Sequence, residues 1–442
     1  DSGPGSLRQT IAEVPAGSVI TFDASLDGQV ITLGGTQLLI DKALTIDASA
    51  LPNGITISGD VTGDGPTVDD SRIFEIATGI TATLKGLTIT GGNVSGNGAG
   101  ISSSGATLDL VDVALVDNHS GSYGGGIINF EGILTMTNTT VTDNVADLGG
   151  GGIYNGNSAA ASVTLINSTV HGNTGGGGGI RNYLGAVSLI HTTVVGNDSS
   201  THTGGGIHNG GGMLSVENSI VAQNTATPGS DDIYSNTTVL YAGQNLIGSD
   251  PMLAPLGDNG GPTRTMLPLY NSPVIDSAIG TGNSPANDQR GVLRPQGAEP
   301  DIGAVELADT DGDGIVDVVE IFNQTNPDSI DSDGDGLVDG AGDVVSVSVY
   351  PDGIDSDNDG LVDGELDLGT DPTASNVGDV APRGNMDNII DLGDLMVLTN
   401  LVTGAMQPTT LESMLGDIYN DDELNAADIL LLQQMIMNST AP

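Results

Sequence analysis

Residues 124–155 read GGGIINFEGILTMTNTTVTDNVADLGGGGIYN and carry the clearest structural signal in the chain. The stretch opens and closes on the same pattern, a glycine run followed by Ile, one further residue and Asn. Between the two copies lie two short runs, 133–137 and 140–144, in which apolar and polar residues alternate. A period of two indicates strands, and the Gly and Asn residues between the runs indicate turns.

The same unit returns through the first half of the chain. An Ile follows a glycine-rich run at Ile101, Ile127, Ile153, Ile180 and Ile207, at intervals of 26, 26, 27 and 27 residues. One such repeat cannot bury its own apolar side, whereas repeats stacked about 4.8 Å apart bury a continuous core. We therefore predict a mainly β fold, a right-handed parallel β-helix of roughly nine to eleven coils.

Asparagine recurs at one place in this repeat. Asn129, Asn155, Asn182 and Asn209 each follow the repeated Ile by two residues. Stacking would bring their side chains into register, so we expect a hydrogen-bonded ladder inside the turns.

An open β-helix end exposes unpaired strand edges, so both ends should be covered. Residues 1–18 are predicted to form an N-terminal helical cap, because Ser6 fits a helix N-cap and Leu7, Ile11 and Val14 lie on one face. The β-helix should then occupy residues 19–250. Residues 251–307, which lose the period and gain prolines, are predicted to close the other end.

Short motifs outside the coils are distinctive: GSLRQTI at 5–11, DNGGPT at 258–263, DQRG at 288–291 and DIGA at 301–304. Together with the coil motif, these stretches resemble bacterial surface β-helix proteins of the choice-of-anchor Q group. The coils are also similar to the repeats of polymorphic outer-membrane proteins. The resemblance covers about residues 1 to 307 and implies a secreted or surface-attached stalk or adhesin, with no single activity attached.

Composition argues against several classes of protein. The 442 residues include 57 Asp and Glu against 9 Lys and Arg, for a net charge of -48. Nucleic acid is disfavoured as a partner because phosphate binding needs clustered cations. The lack of Cys excludes disulfides and zinc–thiolate sites, and no apolar run approaches the roughly 20 residues of a membrane span. Ca²⁺ is the obvious ion to stabilise the acidic part.

The acidic residues concentrate in residues 309–442, which hold 29 of the 57 and a single base, Arg383. We call this stretch the acidic tail. Its first run, DTDGDGIVDVVE at 309–320, places oxygen ligands at the spacing of a calcium loop, with Gly314 at the sharp turn. The predicted ligands are the carboxylates of Asp309, Asp311, Asp313, Asp317 and Glu320 and the carbonyl of Ile315.

Two further loops repeat the first nine positions at offsets of 22 and 24 residues. Both lack the acid at position 12, so each needs a ligand from elsewhere, and Asp343 and Glu365 are the candidates. Residues 308–376 resemble thrombospondin type 3 repeats, in which consecutive acidic loops share calcium ions; the alternative is a solvated acidic linker. The predicted ligands are Asp331, Asp333, Asp335, Leu337 through its carbonyl, Asp339 and Asp343, then Asp355, Asp357, Asp359, Leu361 through its carbonyl, and Asp363.

Residues 377–442 contain two more acidic loops, each followed by an apolar segment of helical character. The pair is similar to a dockerin module, in which two EF-hand-like loop–helix units pack antiparallel, and this resemblance implies a cohesin-like partner. The predicted ligands are Asp379, Asn385, Asp387, Asp391 and Asp394 in the first unit, and Asp417, Tyr419, Asp421, Glu423, Asn425 and Asp428 in the second.

Residues 344–350, VVSVSVY, form an isolated period-two strand within the acidic tail. The strand either closes locally against a neighbouring module or adds to an exposed strand of the next molecule. The predicted partners are therefore copies of the same chain or another surface protein. A carbohydrate ligand stays open.

Many parallel β-helices cleave acidic polysaccharides, so an enzyme is the main alternative. Asp117 and Asp143 hold equivalent places one coil apart, as a hydrolytic carboxylate pair would. The same column continues as Gly172, Gly196 and Gln223, which is typical of a variable outer turn. A lyase would need a base beside acids that hold calcium, and the coil bases lie in no evident acidic cluster; they are Lys42, Arg72, Lys85 and Arg181.

Two other columns carry potentially functional side chains. Asn138, Asn167, His191 and Asn218 are predicted to form a structural ladder, and His208 stacks outward over Arg181, Tyr154 and Ile128. With 8 Tyr, 4 Phe and no Trp, the chain offers few aromatic platforms for sugars. We therefore predict no catalytic site, and a secreted or cell-surface calcium-binding structural or adhesive rod that assembles through its tail.

Overall fold

The computed structural model describes residues 1–60, 71–199, 202–227, 231–323, 325–330 and 332. In these residues the chain winds through four parallel sheets, which confirms the predicted right-handed parallel β-helix. The second and third calcium loops, the strand at 344–350 and the dockerin-like units lie outside the described residues.

Two sheets hold nine strands each, one holds eight and one holds six. Sheet A consists of Ser18–Thr21, Leu44–Asp47, Thr81–Lys85, Thr107–Val111, Ile133–Thr137, Ser162–Ile166, Ala186–Ile190, Met213–Glu217 and Val239–Ala242. Sheet B consists of Val30–Thr32, Ile55–Ser58, Leu87–Thr90, Ala114–Val116, Thr140–Thr142, Thr169–His171, Thr193–Val195, Ile220–Ala222 and Leu246–Ile247.

The other two sheets complete each coil. Sheet C consists of Leu38–Ile40, Phe74–Ile76, Ile101–Ser104, Ile127–Phe130, Ile153–Asn155, Ile180–Asn182, Ile207–Asn209 and Ile233–Ser235. Sheet D consists of Asn93–Val94, His119–Ser120, Val145–Ala146, Thr174–Gly175, Asp198–Ser199 and Thr225–Ala226.

The core is a set of stacked apolar columns. In sheet A the register places five equivalent residues over one another, each at most 1% exposed: Leu108, Leu134, Val163, Val187 and Leu214. Every coil buries apolar area in the same way, and each Å² that is removed from water stabilises the fold by about 25 cal/mol. Stability therefore accumulates along the axis, as in other repeat proteins.

The predicted asparagine ladder is confirmed. Asn129 donates to Asn155 at 2.9 Å, Asn155 to Asn182 at 3.0 Å, and Asn182 to Asn209 at 2.8 Å. A second ladder that was not predicted lies between sheets B and D, with 2.9 Å between successive amides. Its members are Asn118, Asn144, Asn173, Asn197 and Asn224.

The N-terminal helix forms as predicted. Helix α1 spans Leu7–Glu13, and the hydroxyl of Ser6 accepts from the amide of Gln9 at 3.3 Å. Leu7 and Ile11 are 6% and 3% exposed and join the core of the coils. A 3₁₀ turn at Ala24–Leu26 follows.

Residues 251–307 lie along the outer face of sheet B, so the prediction that they close the far end is wrong. We call them the flank module. Thr140 donates to the carbonyl of Arg264 at 2.6 Å, Thr169 donates to Gln289 at 2.7 Å, and Thr193 accepts from the amide of Ala304 at 3.0 Å. The last strand of sheet A, Val239–Ala242, leaves Leu240 and Tyr241 53% and 56% exposed.

The column of Asn138, Asn167, His191 and Asn218 holds this module. All four residues have positive φ, from 45° to 51°, which turns the chain sharply between sheets A and B. Asn167 donates to the carbonyl of Asn287 at 2.6 Å, His191 lies 3.1 Å from the hydroxyl of Ser284, and Asn218 donates to the carbonyl of Ile279 at 3.0 Å. The column is structural, but it docks a second element instead of forming a continuous ladder.

Buried ions fix the flank module itself. Arg294 and Glu306 form a 2.7 Å ion pair in which each side chain is 1% exposed. Arg294 also donates to the carbonyls of Asp301 and Gly303, at 3.0 and 2.9 Å. Removing one partner of such a pair leaves a buried charge without compensation. The DIGA motif at 301–304 therefore belongs to a structural ion cluster in this chain.

Candidate metal centre

The first calcium loop follows the flank module directly. Leu307 before the loop and Val316 within it are 5% and 2% exposed, and they form one apolar cluster with Val318. Tyr270 and Ile275 of the flank module pack against that cluster. The loop is therefore anchored to the flank module.

Three predicted ligands come together in this loop. Asp309, Asp311 and Asp313 each offer one carboxylate oxygen, and these oxygens all lie within 4.8 Å of one another. Gly312 and Gly314 have φ of 80° and 95°, a left-handed backbone that folds the chain around the three carboxylates.

Backbone amides orient these carboxylates. The two oxygens of Asp309 accept from the amides of Gly312 and Gly314, at 2.8 and 3.0 Å. Asp311 accepts from the amide of Asp313 at 3.1 Å. Asp313 in turn accepts from the amide of Ile315, at 2.7 Å.

The donor set fits a hard divalent cation. The Oδ2 atoms of Asp311 and Asp313 and the Oε2 atom of Glu320 are buried. Bringing carboxylates together and shielding them from water is costly unless a cation compensates their charge. Ca²⁺ takes six to eight oxygen ligands in flexible geometry, so the carboxylates of Asp309, Asp311 and Asp313 would supply part of its shell.

The remaining predicted ligands of this loop occupy other places. Asp317 begins helix α2, Asp317–Asn323, and accepts from the amide and the hydroxyl of Thr310 at 2.7 Å each. Glu320, on the same helix, is 0% exposed. Neither belongs to the three-carboxylate group. The role of the Ile315 carbonyl stays a prediction.

A second group of charges lies on the coils. The register pairs Val116 with Thr142 and so places Asp117 and Asp143 in equivalent positions, both with positive φ. Burial and the neighbouring Asp143 raise the pKa of Asp117, whereas Arg264 of the flank module lowers it. Sequence reasoning missed Arg264 because the base reaches the coils only through the packing of the flank module.

Arg264 also lines a cleft of about 510 Å³ between the flank module and the coils. Asp112 and Asp258 lie in the same lining. Burial raises the pKa of Asp112, while a hydrogen bond from Asn138 opposes that shift.

Residues 309–327 and 355–375 match the bacterial TSP3 repeat family, and the first match contains the three-carboxylate loop. The chain is thus a parallel β-helix protein with two segments that match TSP3 repeats, a calcium-binding family. Its fold is similar to the crystal structure of pectate lyase Pel9A, with a TM-score of 0.44 and 15% identity over 68% of this chain and 90% of that chain. Curated protein sequences give no match.

The family match covers two short segments of the acidic tail. The resemblances to the choice-of-anchor Q group and to dockerins stay predictions. Over the described part of the chain, no helix combines the length and apolar character needed to cross a membrane.

Proposed function

We propose that the chain is an extracellular or cell-surface structural or adhesive protein, a rod linked to neighbouring copies of itself through its calcium-stabilised tail. The observation that supports this most is the position of the Asp309 loop. Three clustered carboxylates lie on a segment whose apolar residues pack against the flank module. The calcium state of the loop is thereby coupled to the module that lines the rod.

The mechanism is electrostatic. The carboxylates of the tail repel one another, and their repulsion opposes a compact structure. Bound cations neutralise them, so the free energy of calcium binding becomes free energy of folding for each loop. Calcium would then switch the tail from an extended polyanion to a stiff connector.

The end of the solenoid offers a place for that connector. Val239–Ala242 is the last strand of sheet A, and two of its side chains are more than half exposed. Residues 344–350 of a neighbouring copy, which the sequence predicts to be a strand, would extend the sheet by one strand. Repetition of this contact would build a head-to-tail filament.

Assembly should depend on calcium. The full chain at micromolar concentration is expected to form oligomers in millimolar Ca²⁺ and monomers after chelation, measured by light scattering coupled to size exclusion. Mg²⁺ at the same concentration is the control, since it prefers a smaller octahedral shell and should restore assembly poorly. A chain that is monomeric in Ca²⁺ would contradict self-assembly and point to a second surface protein, such as a cohesin-like one, as the partner.

A second candidate is an enzyme that cleaves acidic polysaccharides, and Arg264 is the observation that favours it. This base faces Asp117, which lies beside Asp143, and it lines the cleft with Asp112 and Asp258. Under this hypothesis Asp117→Asn abolishes turnover of pectin or alginate, while Asp147→Asn, an exposed carboxylate of the coils, leaves it unchanged. A wild-type chain without turnover on either polymer contradicts the hypothesis.

A further inference from the structure

The outer side of the solenoid at sheet C carries a pocket of about 540 Å³. The chain has 8 Tyr and 4 Phe, and four of these line this one pocket: Tyr123, Phe130, Tyr154 and Tyr183. Sequence reasoning counted the aromatic residues as too sparse for a sugar platform. Coil stacking concentrates them.

Tyr154, which is 4% exposed, lies at the bottom of the pocket, and two other rings pack against it. The ring centroid of Tyr123 lies 4.7 Å from that of Tyr154, and the centroid of Phe130 lies 5.9 Å away in an edge-on arrangement. The hydroxyl of Tyr154 donates to Asn157 at 3.1 Å. The side chains at the bottom of the pocket are therefore positioned before a ligand binds.

Tyr183 forms the accessible part of the pocket. It is 46% exposed, so much of its ring is open to solvent. It follows Arg181 by two residues, at the end of the strand Ile180–Asn182. The side chain can cover a ligand with little loss of rotamer freedom, because a tyrosine has two side-chain torsions.

Among the described residues that line the pocket, Arg181 is the only charged side chain. Its guanidinium carbon lies 5.6 Å from the centroid of Tyr123, and Nη1 donates to the carbonyl of Leu148 at 2.9 Å. Both contacts hold the group in place. A fixed cation without a neighbouring carboxylate in the lining is unusual in a chain of net charge -48.

The column of side chains that contributes Tyr154 and Arg181 to the pocket extends beyond it along the axis. The register stacks Tyr154, Arg181, His208 and Tyr234 in successive coils, about 4.8 Å apart. The rings of His208 and Tyr234 are stacked at 4.9 Å. A ligand made of repeating rings could thus contact more than one coil.

We propose that this pocket binds an acidic saccharide. The apolar face of a pyranose ring would stack on Tyr183, amide and hydroxyl side chains such as Asn157 would bond its hydroxyls, and Arg181 would pair with its carboxylate. An apolar peptide would leave Arg181 uncompensated. The inference extends the proposed function, since it names what an adhesive rod would hold without using the calcium loop.

Calorimetric titration of the full chain with trimers of galacturonate and of mannuronate tests this. A salt concentration of about 0.15 M screens remote carboxylates beyond about 8 Å. Both trimers are titrated with calcium and with chelator, and cellotriose serves as the neutral probe. We expect an acidic trimer to bind more tightly than cellotriose, with the same affinity in both conditions.

The variants locate the site. Tyr183→Ala should weaken binding about tenfold or more, whereas Tyr183→Phe should retain it. Arg181→Gln should remove the preference for an acidic trimer over cellotriose. Leu39→Ala, at a side chain of sheet C that is 47% exposed and lies outside the pocket lining, is the matched control and should bind as the wild type does.

Three results would overturn the proposal. The first is no binding of either acidic trimer at millimolar concentration. The second is an equal loss in Tyr183→Ala and Leu39→Ala. The third is binding that disappears in chelator, since the saccharide would then contact calcium in the tail. Because Tyr183 is exposed, Tyr183→Ala should fold, and its circular dichroism and melting temperature verify this.

Discussion

Replacement of Asp309 by Asn is expected to abolish the calcium-dependent protection of residues 307–323 in the full chain. Each oxygen of Asp309 accepts from a loop amide, from Gly312 at 2.8 Å and from Gly314 at 3.0 Å. Asn keeps one acceptor and turns an amino group toward the other N–H. The substitution therefore removes both a ligand charge and a hydrogen bond that shapes the loop.

Hydrogen exchange with mass spectrometry measures this locally. In the wild type, calcium at about 100 times its dissociation constant should slow exchange of residues 307–323 about a hundredfold. In Asp309→Asn the rate should be the same with calcium and with chelator, while the coils exchange as in the wild type. Asp41→Asn removes the same charge from a 59% exposed side chain and serves as the control.

Protection by calcium that survives in Asp309→Asn would show that this loop is not the metal centre. Protection lost equally in Asp41→Asn would indicate a general effect of charge. Either result would remove the main support for the proposed function.

Asn173→Ala is expected to destabilise the solenoid by about 4 kcal/mol or more, because it opens the ladder between sheets B and D. Asn173 is 0% exposed, and its amide donates to Val141, His171 and Asn197 at 2.9, 3.0 and 2.9 Å. Its oxygen accepts from the backbone and the side chain of Asn144, at 3.0 and 2.9 Å. Alanine leaves all these buried groups without their partner.

Thermal and denaturant unfolding, followed by circular dichroism, measures the loss. Asn236→Ala is the matched control, since Asn236 is exposed and, among the described residues, its side chain bonds Gly210 and Tyr234. We expect Asn236→Ala to lower the free energy of unfolding by less than about 1 kcal/mol. Equal destabilisation of the two variants would show that an asparagine in the ladder stabilises the fold no more than an exposed asparagine does.

The coils were predictable because each repeat presents the same residue types at the same places. Stacking converts a spacing of 26 or 27 residues into direct contact, so Asn129 and Asn155 meet as their spacing predicts. The second ladder carries a similar signal in the sequence, because an Asn lies two residues after each of five successive strands of sheet B. The Asp309 loop was predictable for another reason, since its ligands lie within twelve residues of one another.

The position of the flank module could not be predicted from the sequence repeat. Thr169 meets Gln289 across 120 residues, and neither residue repeats at a period that would relate the two. The flank module covers the face of the solenoid on which it fits the columns of Asn167 and Thr193. Because the module does not repeat, no local sequence pattern encodes that fit. The same packing brings Arg264 to Asp117.

The aromatic pocket was predictable from the sequence only in part. Tyr154 and Arg181 are in register, so their column follows from the repeat alone. Tyr123, Phe130 and Tyr183 come from turns and strand ends around that column, and only the path of the backbone between coils brings their rings together. Periodic positions are set by the backbone hydrogen bonds between coils, whereas the turns and the flank module are positioned by side-chain packing between residues far apart in the chain.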